Sequence, residues 1–249
     1  MKAILTYHEI VQQSEASLYS VTHAQFREHM AFVAGCRGLT TSPQITFDDG
    51  HVSNFEHALP LVTQIGITAT FFVTPGWTGN PGYMSWSHLR EITVHGHFVQ
   101  SHSWSHKLLT RISANDLELE LSMPKQVLEQ RLGHEVDAIS IPGGRWDQRV
   151  IEVCARVGYK RVYVSEPWVH TTVNGLEVCG RFMVRSDTNA ERLKKMCNRS
   201  GVLLWWLRAQ HQVKKVGRLV MGDEPYQRIW RRLANRPTRL SGAEHRLEK

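Results

Sequence analysis

Two neighbouring acids, Asp48 and Asp49, stand directly after the apolar stretch ITF and directly before a glycine. Adjacent carboxylates repel each other, so they form either a solvated turn or a site that holds a cation. Farther along the chain, the motif HSWSH places His102 and His106 four residues apart. In a helical turn, side chains with this spacing lie on one face, and imidazole pairs suit zinc and similar divalent metals.

Two histidines and one carboxylate, with positions left open for water and substrate, form the usual ligand set of a catalytic zinc site. Either Asp48 or Asp49 supplies the third ligand together with His102 and His106. The remaining acid would then stay free beside the metal, where it can act as a base.

The elements that must position these residues alternate between short apolar stretches and helical patterns. Strands are predicted at ITF (45–47), TATFFVT (68–74), FVQSH (98–102), AISIP (138–142), RVYVS (161–165) and EVCGRFMV (177–184). The intervening helices end at glycines, and Pro124 is expected to kink or split the longest of them. This alternation predicts βα units around a mostly parallel sheet, either a barrel or an open sheet. Chemistry in such barrels sits at the carboxyl ends of the strands.

The motifs TFDDG, HSWSH and IPGG (141–144), in this order, resemble the polysaccharide deacetylase family, the NodB-homology domain of carbohydrate esterase family 4. The stretches LTYHEI, FEHALPLVTQIGITATFFVTPGW and SWSHLREITVHGH resemble its framework. The resemblance covers roughly residues 3 to 185. It implies an α/β fold, a distorted (β/α)7 barrel (NodB-like), here with a C-terminal helical basic extension.

The resemblance also implies a role for each matching residue. Asp48 corresponds to the general base, and Asp49, His102 and His106 correspond to the metal ligands. The backbone N–H of Gly143 corresponds to the group that holds the oxyanion. The implied cofactor is a divalent metal ion, with zinc as the first choice and cobalt, nickel or iron as alternatives.

Two positions depart from the family pattern. The arginine that holds the base aspartate is replaced by Ser140, and Arg145 is the nearby cation that could take over, the alternative being a solvated loop residue. The late histidine that acts as general acid is absent, and Arg181 stands there instead. Arginine can stabilise charge but does not donate a proton near neutral pH. His8, at the end of the first strand, is the substitute acid, with a packing role as the alternative.

Trp104, inside the histidine motif, and Pro142 are candidate substrate-binding residues. Trp104 could stack on a sugar ring, although core packing is the commoner role of tryptophan. These assignments predict a metal-dependent deacetylase that removes N- or O-acetyl groups from a polysaccharide, an oligosaccharide or a lipid- or nucleotide-linked sugar. The alternatives are a hydrolase of a non-sugar amide and an inactive sugar-binding relative.

The basic charge is confined to the end of the chain. The net charge is +7, and residues 201–249 carry 11 Lys and Arg against 4 Asp and Glu. We therefore divide the chain into a deacetylase domain (1–200) and a basic helical extension (201–249). The extension either lies on an anionic membrane surface or packs on the barrel. Nucleic acid is not expected as a partner, because no recognition motif accompanies the charge.

The compartment is predicted from what the sequence lacks. We expect the cytoplasm, with the extension peripheral to the inner face of the membrane, because no signal peptide and no apolar run of about 20 residues are visible. The four cysteines are widely spaced, and we expect free thiols.

Overall fold

The computed structural model describes residues 2–12, 17–39 and 42–221, and side chains as far as residue 213. The strands are β1 (Ile4–Tyr7), β2 (Glu9–Val11), β3 (Ser20–Thr22), β4 (Gln44–Phe47), β5 (Ala69–Val73), β6 (Phe98–Ser101), β7 (Ala138–Ser140), β8 (Arg161–Val164), β9 (His170–Val173), β10 (Leu176–Gly180) and β11 (Phe182–Met183). The helices are α1 (His23–Gly35), α2 (Leu59–Gln64), α3 (Trp86–Val94), α4 (Ala114–Leu132), α5 (Gln148–Val157), α6 (Ala190–Cys197) and α7 (Gly201–Met221).

One nine-stranded sheet, in the order β11-β1-β4-β5-β6-β7-β8-β10-β9, forms the centre of the fold. Every pairing in it is parallel except that of β9 with β10. β10 pairs with β8, whereas the next strand, β11, pairs with β1. Arg181 lies between β10 and β11, where the chain crosses from one neighbouring strand to the other. The sheet is curled like part of a barrel, in agreement with the predicted distorted barrel. Parallel order brings the carboxyl ends of these strands to one edge.

The helix limits follow the capping signals in the sequence. Ser85 caps α3, and its side chain accepts a hydrogen bond from the backbone N–H of His88. α4 and α5 end at Gly133 and Gly158, which take left-handed φ angles of 73° and 93°. A side chain would be strained in that conformation, so glycine is the natural stop.

Pro124 was expected to kink or split the long helix, and the split does not occur, because α4 is a single helix that continues through it. Proline has no N–H for the carbonyl four residues earlier, which here belongs to Glu120. That carbonyl accepts the backbone N–H of Trp104 instead, at 3.1 Å. The proline therefore frees an acceptor that holds the histidine motif against α4.

The strands bury side chains on both faces. One large apolar cluster lies between the sheet and the helices and includes Phe26, Phe47 and Leu121. A smaller cluster occupies the concave side of the sheet and consists of Ile4, Phe72, Ala138, Tyr163 and Cys179. This alternation is why the strands are apolar almost throughout.

The N-terminal part of α7 packs on the barrel through Leu203, Leu204 and Leu207. Its outer side carries Trp205, 70% exposed, and Trp206, 44% exposed. The rest of the predicted extension, residues 222–249, lies outside the described residues. Among the described helices, none is both long and apolar enough to cross a membrane. All four cysteines are free thiols, as predicted.

Candidate active site

The polar residues singled out in the sequence meet at the carboxyl edge of the sheet. Asp48 and Asp49 follow β4, His102 follows β6, and Ser140 ends β7. Side chains from strands that are distant in sequence are thereby held within a few ångströms of one another. The expectation that these strand ends share one face is confirmed.

Asp49, His102 and His106 place one potential metal-ligand atom each within 4.8 Å of one another. Oδ1 of Asp49 lies 3.2 Å from Nε2 of His102 and 3.3 Å from Nε2 of His106. This oxygen is buried and has no hydrogen bond of normal geometry within the described residues. Ligand atoms on a tetrahedral zinc ion are about 3.3–3.8 Å apart, given bonds of about 2.0–2.3 Å. The three residues therefore fit a divalent ion.

His102 is fixed in the tautomer that a ligand needs. Its Nδ1–H donates to the carbonyl of Ser140 at 2.8 Å, which leaves Nε2 free to face the acids. Burial lowers the pKa of His102, but Asp48 and Asp49 raise it more, and the net pKa is raised. A positive charge is thus favoured between the two carboxylates. Burial, with help from His102, lowers the pKa of His106 to about 4, so this ring is neutral and ready to bind a metal.

The histidine motif is not the helical turn expected from its spacing. Residues 102–106 form an irregular loop in which Ser103 and His106 take φ angles of 61° and 60°. The loop brings the two imidazoles together by a different route, with ring centroids 4.9 Å apart. Trp77 lies 5.1 Å from the His106 ring.

Glu120 on α4 anchors this loop. Its carboxylate accepts the backbone N–H of Trp104 at 3.1 Å and of Ser105 at 2.9 Å, and it also accepts the Ser105 hydroxyl. Glu120 is 5% exposed, an uncommon position for an acid without a purpose. The sequence reading missed this residue, although a glutamate on the buried side of a helix, one turn before a proline, was a usable signal.

Arg181 holds the base candidate, the task for which the sequence had suggested Arg145. Nη1 and Nη2 of Arg181 each donate to one oxygen of Asp48 at 2.7 Å. Ser140 donates to Asp48 Oδ2 at 3.0 Å and accepts from Arg181 at 2.7 Å. A small side chain at Ser140 leaves the space that Arg181, arriving after β10, fills. Burial raises the pKa of Asp48, but Arg181 above all lowers it, and the net value is about 2.

A cavity of about 370 Å³ opens over these groups. His8, Asp48, Asp49, His102 and His106 line it, and so do Gly143 and four residues that the sequence did not single out: Tyr19, Ser165, Met183 and Arg185. Trp104 and Pro142 are not among its lining residues, so their substrate-binding role stays a prediction. A second cavity of about 380 Å³ adjoins it, sharing Ser165 and adding Trp146.

His8 is positioned in the cavity as a proton carrier would be. Its Nδ1 is buried without a hydrogen-bond partner among the described residues. Burial lowers the pKa of His8, and Asp49 and Asp48 oppose this without reversing it. His8 is therefore mainly neutral at pH 7.

Sequence comparison agrees with the geometry. The family model described as "Polysaccharide deacetylase" matches residues 41–162, a segment that contains both acids, both histidines and Gly143. This segment of the chain is recognised as a polysaccharide deacetylase domain. This family comprises carbohydrate deacetylases, which are hydrolases of carbon–nitrogen bonds.

The family relatives are distant ones. YxkH of Bacillus subtilis is 24% identical over 73% of this chain and 70% of its own length. The peptidoglycan-N-acetylmuramic acid deacetylase PdaA of Bacillus subtilis is 24% identical over 52% of this chain, which spans 49% of that protein. The Streptococcus pyogenes deacetylase PplD, solved with acetate, superposes with a TM-score of 0.70 at 22% identity, covering 79% of this chain and 97% of that one. At this identity, the superposition establishes the fold.

Proposed function

We propose that this polysaccharide deacetylase domain is a metal-dependent hydrolase that removes N- or O-acetyl groups from a carbohydrate. The observation that carries the proposal is one cavity in which a three-ligand metal site adjoins an ionised carboxylate. Asp49, His102 and His106 would hold the ion, with zinc as the first choice. When bound, such an ion supplies a Lewis acid and lowers the pKa of a coordinated water to about 7.

The protein's own groups then have separate tasks. Asp48, kept ionised by Arg181, accepts the proton of the attacking water at Oδ2 or Oδ1. The tether lowers its basicity, and in return it fixes both carboxylate oxygens in place. The backbone N–H of Gly143, on the cavity wall, donates to the developing oxyanion. His8 takes up the proton that Asp48 removes from the water and passes it to the leaving amine or alcohol, so both groups return to their starting charge. Arg181 is a positioning residue in this scheme, because it acts through Asp48, with further hydrogen bonds to Ser140 and Thr46.

A carbohydrate is the substrate class that the relatives favour. Two of them are named for peptidoglycan N-acetylmuramic acid and for chitin, and the adjoining cavity with Trp146 offers an aromatic surface beside the reacting group. The rival functions are hydrolysis of a non-sugar amide and sugar binding without turnover. An intact ligand set with a tethered base argues against the inactive relative.

Acetate release from peptidoglycan fragments and chitin oligomers tests the proposal. Chelation should abolish release, and added zinc or cobalt should restore it. Asp48→Asn should keep the ion but lose turnover, because an amide cannot accept the proton, whereas Asp49→Asn should lose the ion itself. Normal acetate release by the chelated protein, or by Asp48→Asn, would refute the mechanism. Release from simple amides alone would favour the non-sugar hydrolase.

We further propose that α7 contacts an anionic membrane surface, and the solvent-exposed tryptophans favour this. Val202 and Trp205 are 80% and 70% exposed, and Arg208 lies on the same helix. Leu203 and Leu207 pack on the barrel, so the helix is docked while its outer face stays apolar. Interfacial helices combine such aromatic and basic side chains. Co-sedimentation of the intact protein with anionic vesicles tests this, and no binding at low salt would leave α7 purely structural.

A further inference from the structure

A second group of metal-ligand atoms lies on the β9–β10 hairpin. His170, Glu177 and Cys179 place one ligand atom each within 4.8 Å of one another. Nε2 of His170 is 3.7 Å from Oε1 of Glu177, a separation that already fits two ligands on a tetrahedral ion, about 3.3–3.8 Å. None of the three residues takes part in the proposed reaction.

We propose that His170, Glu177 and Cys179 form a second site for a divalent transition-metal ion, separate from the active site. Thiolate and imidazole select zinc-like ions, whereas magnesium and calcium prefer oxygen ligands alone. Three protein ligands leave one tetrahedral position for water. The inference does not depend on the proposed deacetylase activity, because the two sites share no residue.

The backbone builds this site in advance. Asn174 and Gly175 form the two-residue turn between the strands, with φ angles of 51° and 79°, as in the type I′ turns that fix hairpin register. In that register His170 is directly opposite Cys179. Glu177 precedes Cys179 by two residues on the same strand and so points to the same side. Only small side-chain movements are needed to close the three ligands around an ion.

The environment of the site favours a cation. Cys179 is 4% exposed, and the Glu177 carboxylate beside it supplies a negative charge for an ion. Two cations near Cys179 are engaged with other carboxylates, Arg161 with Asp137 at 2.7 Å and Arg181 with Asp48 at 2.7 Å. The side chains of His170 and Glu177 are 38% and 47% exposed, which gives the ion a path from solvent.

An ion here would tie β9, the outer strand of the sheet, to β10. β9 follows directly after the segment that contains Ser165, which lines the active-site cavity. That segment is held to β10 where Gly180 donates its N–H to the carbonyl of Val169 at 2.8 Å. A Cβ at Gly180 would come within 1.9 Å of the Glu166 carbonyl oxygen, so the segment lies tightly over the strand. The expected role of the ion is to stabilise this wall.

Cobalt titration of the full chain, stripped of metal and kept reduced without thiols, tests the site. A cobalt–thiolate bond gives a near-ultraviolet charge-transfer band, and the active site, with Asp49, His102 and His106, has no thiolate to produce one. We expect two ions per chain and this band. Cys179→Ser should lose the band and one ion, whereas Cys154→Ala, a matched buried cysteine in α5, should keep both.

Two further variants keep the result clear. His170→Ala changes an exposed side chain, so this variant should fold normally. Its cobalt affinity at this site, measured from the charge-transfer band, should still fall at least about tenfold. His106→Ala should lose the active-site ion and acetate release but retain the band. A wild-type protein without the band at saturating cobalt, or a band that survives Cys179→Ser, overturns the second site. Loss of acetate release alone would count only against the proposed function.

Discussion

Replacing Arg181 by methionine removes one partner of a buried ion pair without removing much volume. Arg181 is 1% exposed and Asp48 is 3% exposed, and two hydrogen bonds of 2.7 Å join them. A pKa of about 2 for Asp48, against about 3.9 in an unfolded chain, corresponds to about 2–3 kcal/mol of stability at pH 7. Arg181→Met loses this and leaves an unpaired buried charge, which brings the expected cost to about 3–5 kcal/mol.

The pH dependence of this cost identifies its cause. In the wild type, the Asp48 contribution is present above the unfolded pKa of about 3.9 and is lost as the pH falls toward 2. In Arg181→Met, burial should instead raise the pKa of Asp48 above its unfolded value, so the penalty grows as the pH rises through about 4. The stability difference between the two proteins should therefore be largest at pH 7 and shrink toward pH 4.

Urea unfolding and thermal melts of the chelated proteins at both pH values measure the effect. For a domain of this size, the cost corresponds to a drop in Tm of roughly 6–20 °C at pH 7. Asp48→Asn combined with Arg181→Met should cost less than the sum of the single changes, because neither charge is then left alone. Arg185→Met, at a half-buried arginine on the cavity wall, is the control. A difference below about 0.5 kcal/mol at pH 7, or one that does not shrink at pH 4, refutes the reasoning.

Three tests address other parts of the molecule. Glu120→Gln should weaken zinc affinity about 10- to 100-fold, because the histidine loop loses its charged anchor; calorimetry should show no change for the exposed Glu118→Gln control. Burial lowers the pKa of His29 in the folded chain. As the pH falls, the unfolded chain therefore takes up a proton at this residue before the folded chain does. The free energy of unfolding should decrease as the pH is lowered below about 6.5, and it should decrease less steeply in His29→Gln. Equal pH slopes for the two proteins, both measured with chelator present, would contradict this. Trp205→Ser should reduce vesicle co-sedimentation at low salt while changing stability by less than about 0.5 kcal/mol, and unchanged binding would argue against the membrane contact.

The sequence alone was sufficient for the parallel strands β4 to β8 and for the meeting of Asp49, His102 and His106. It was wrong in predicting one strand over 177–184, which the structure divides into β10 and β11. Parallel strands must end at one edge, so apolar stretches followed by Asp49 and His102 are enough to predict that these side chains meet. Helix ends such as that at Gly133 could also be predicted from the sequence, because the preference for glycine at a helix end depends only on the local backbone conformation. The roles of Asp48 and Gly143 come from family resemblance and remain proposals.

Local reasoning failed where a partner comes from a distant part of the chain. Arg145 looked suitable for holding Asp48 because it is near the motif in sequence, but strand order brings Arg181 there, and Ser140 leaves it room. Pro124 was expected to kink or split α4, but the helix continues through it, and the carbonyl that it frees, that of Glu120, is used by a loop that sequence spacing could not place.

The sequence by itself thus determined which residue types are available, the periodicity of apolar residues that distinguishes strands from helices, and the sheet edge at which the strand-end groups gather. Only the tertiary structure decided which cation neutralises Asp48, how the HSWSH loop is held and which thiol lies beside His170. The physical reason is the range of the interactions. Propensity, capping and alternation act over a few residues, whereas ion pairing and ligand geometry depend on distances of about 3 Å between groups that the chain keeps far apart.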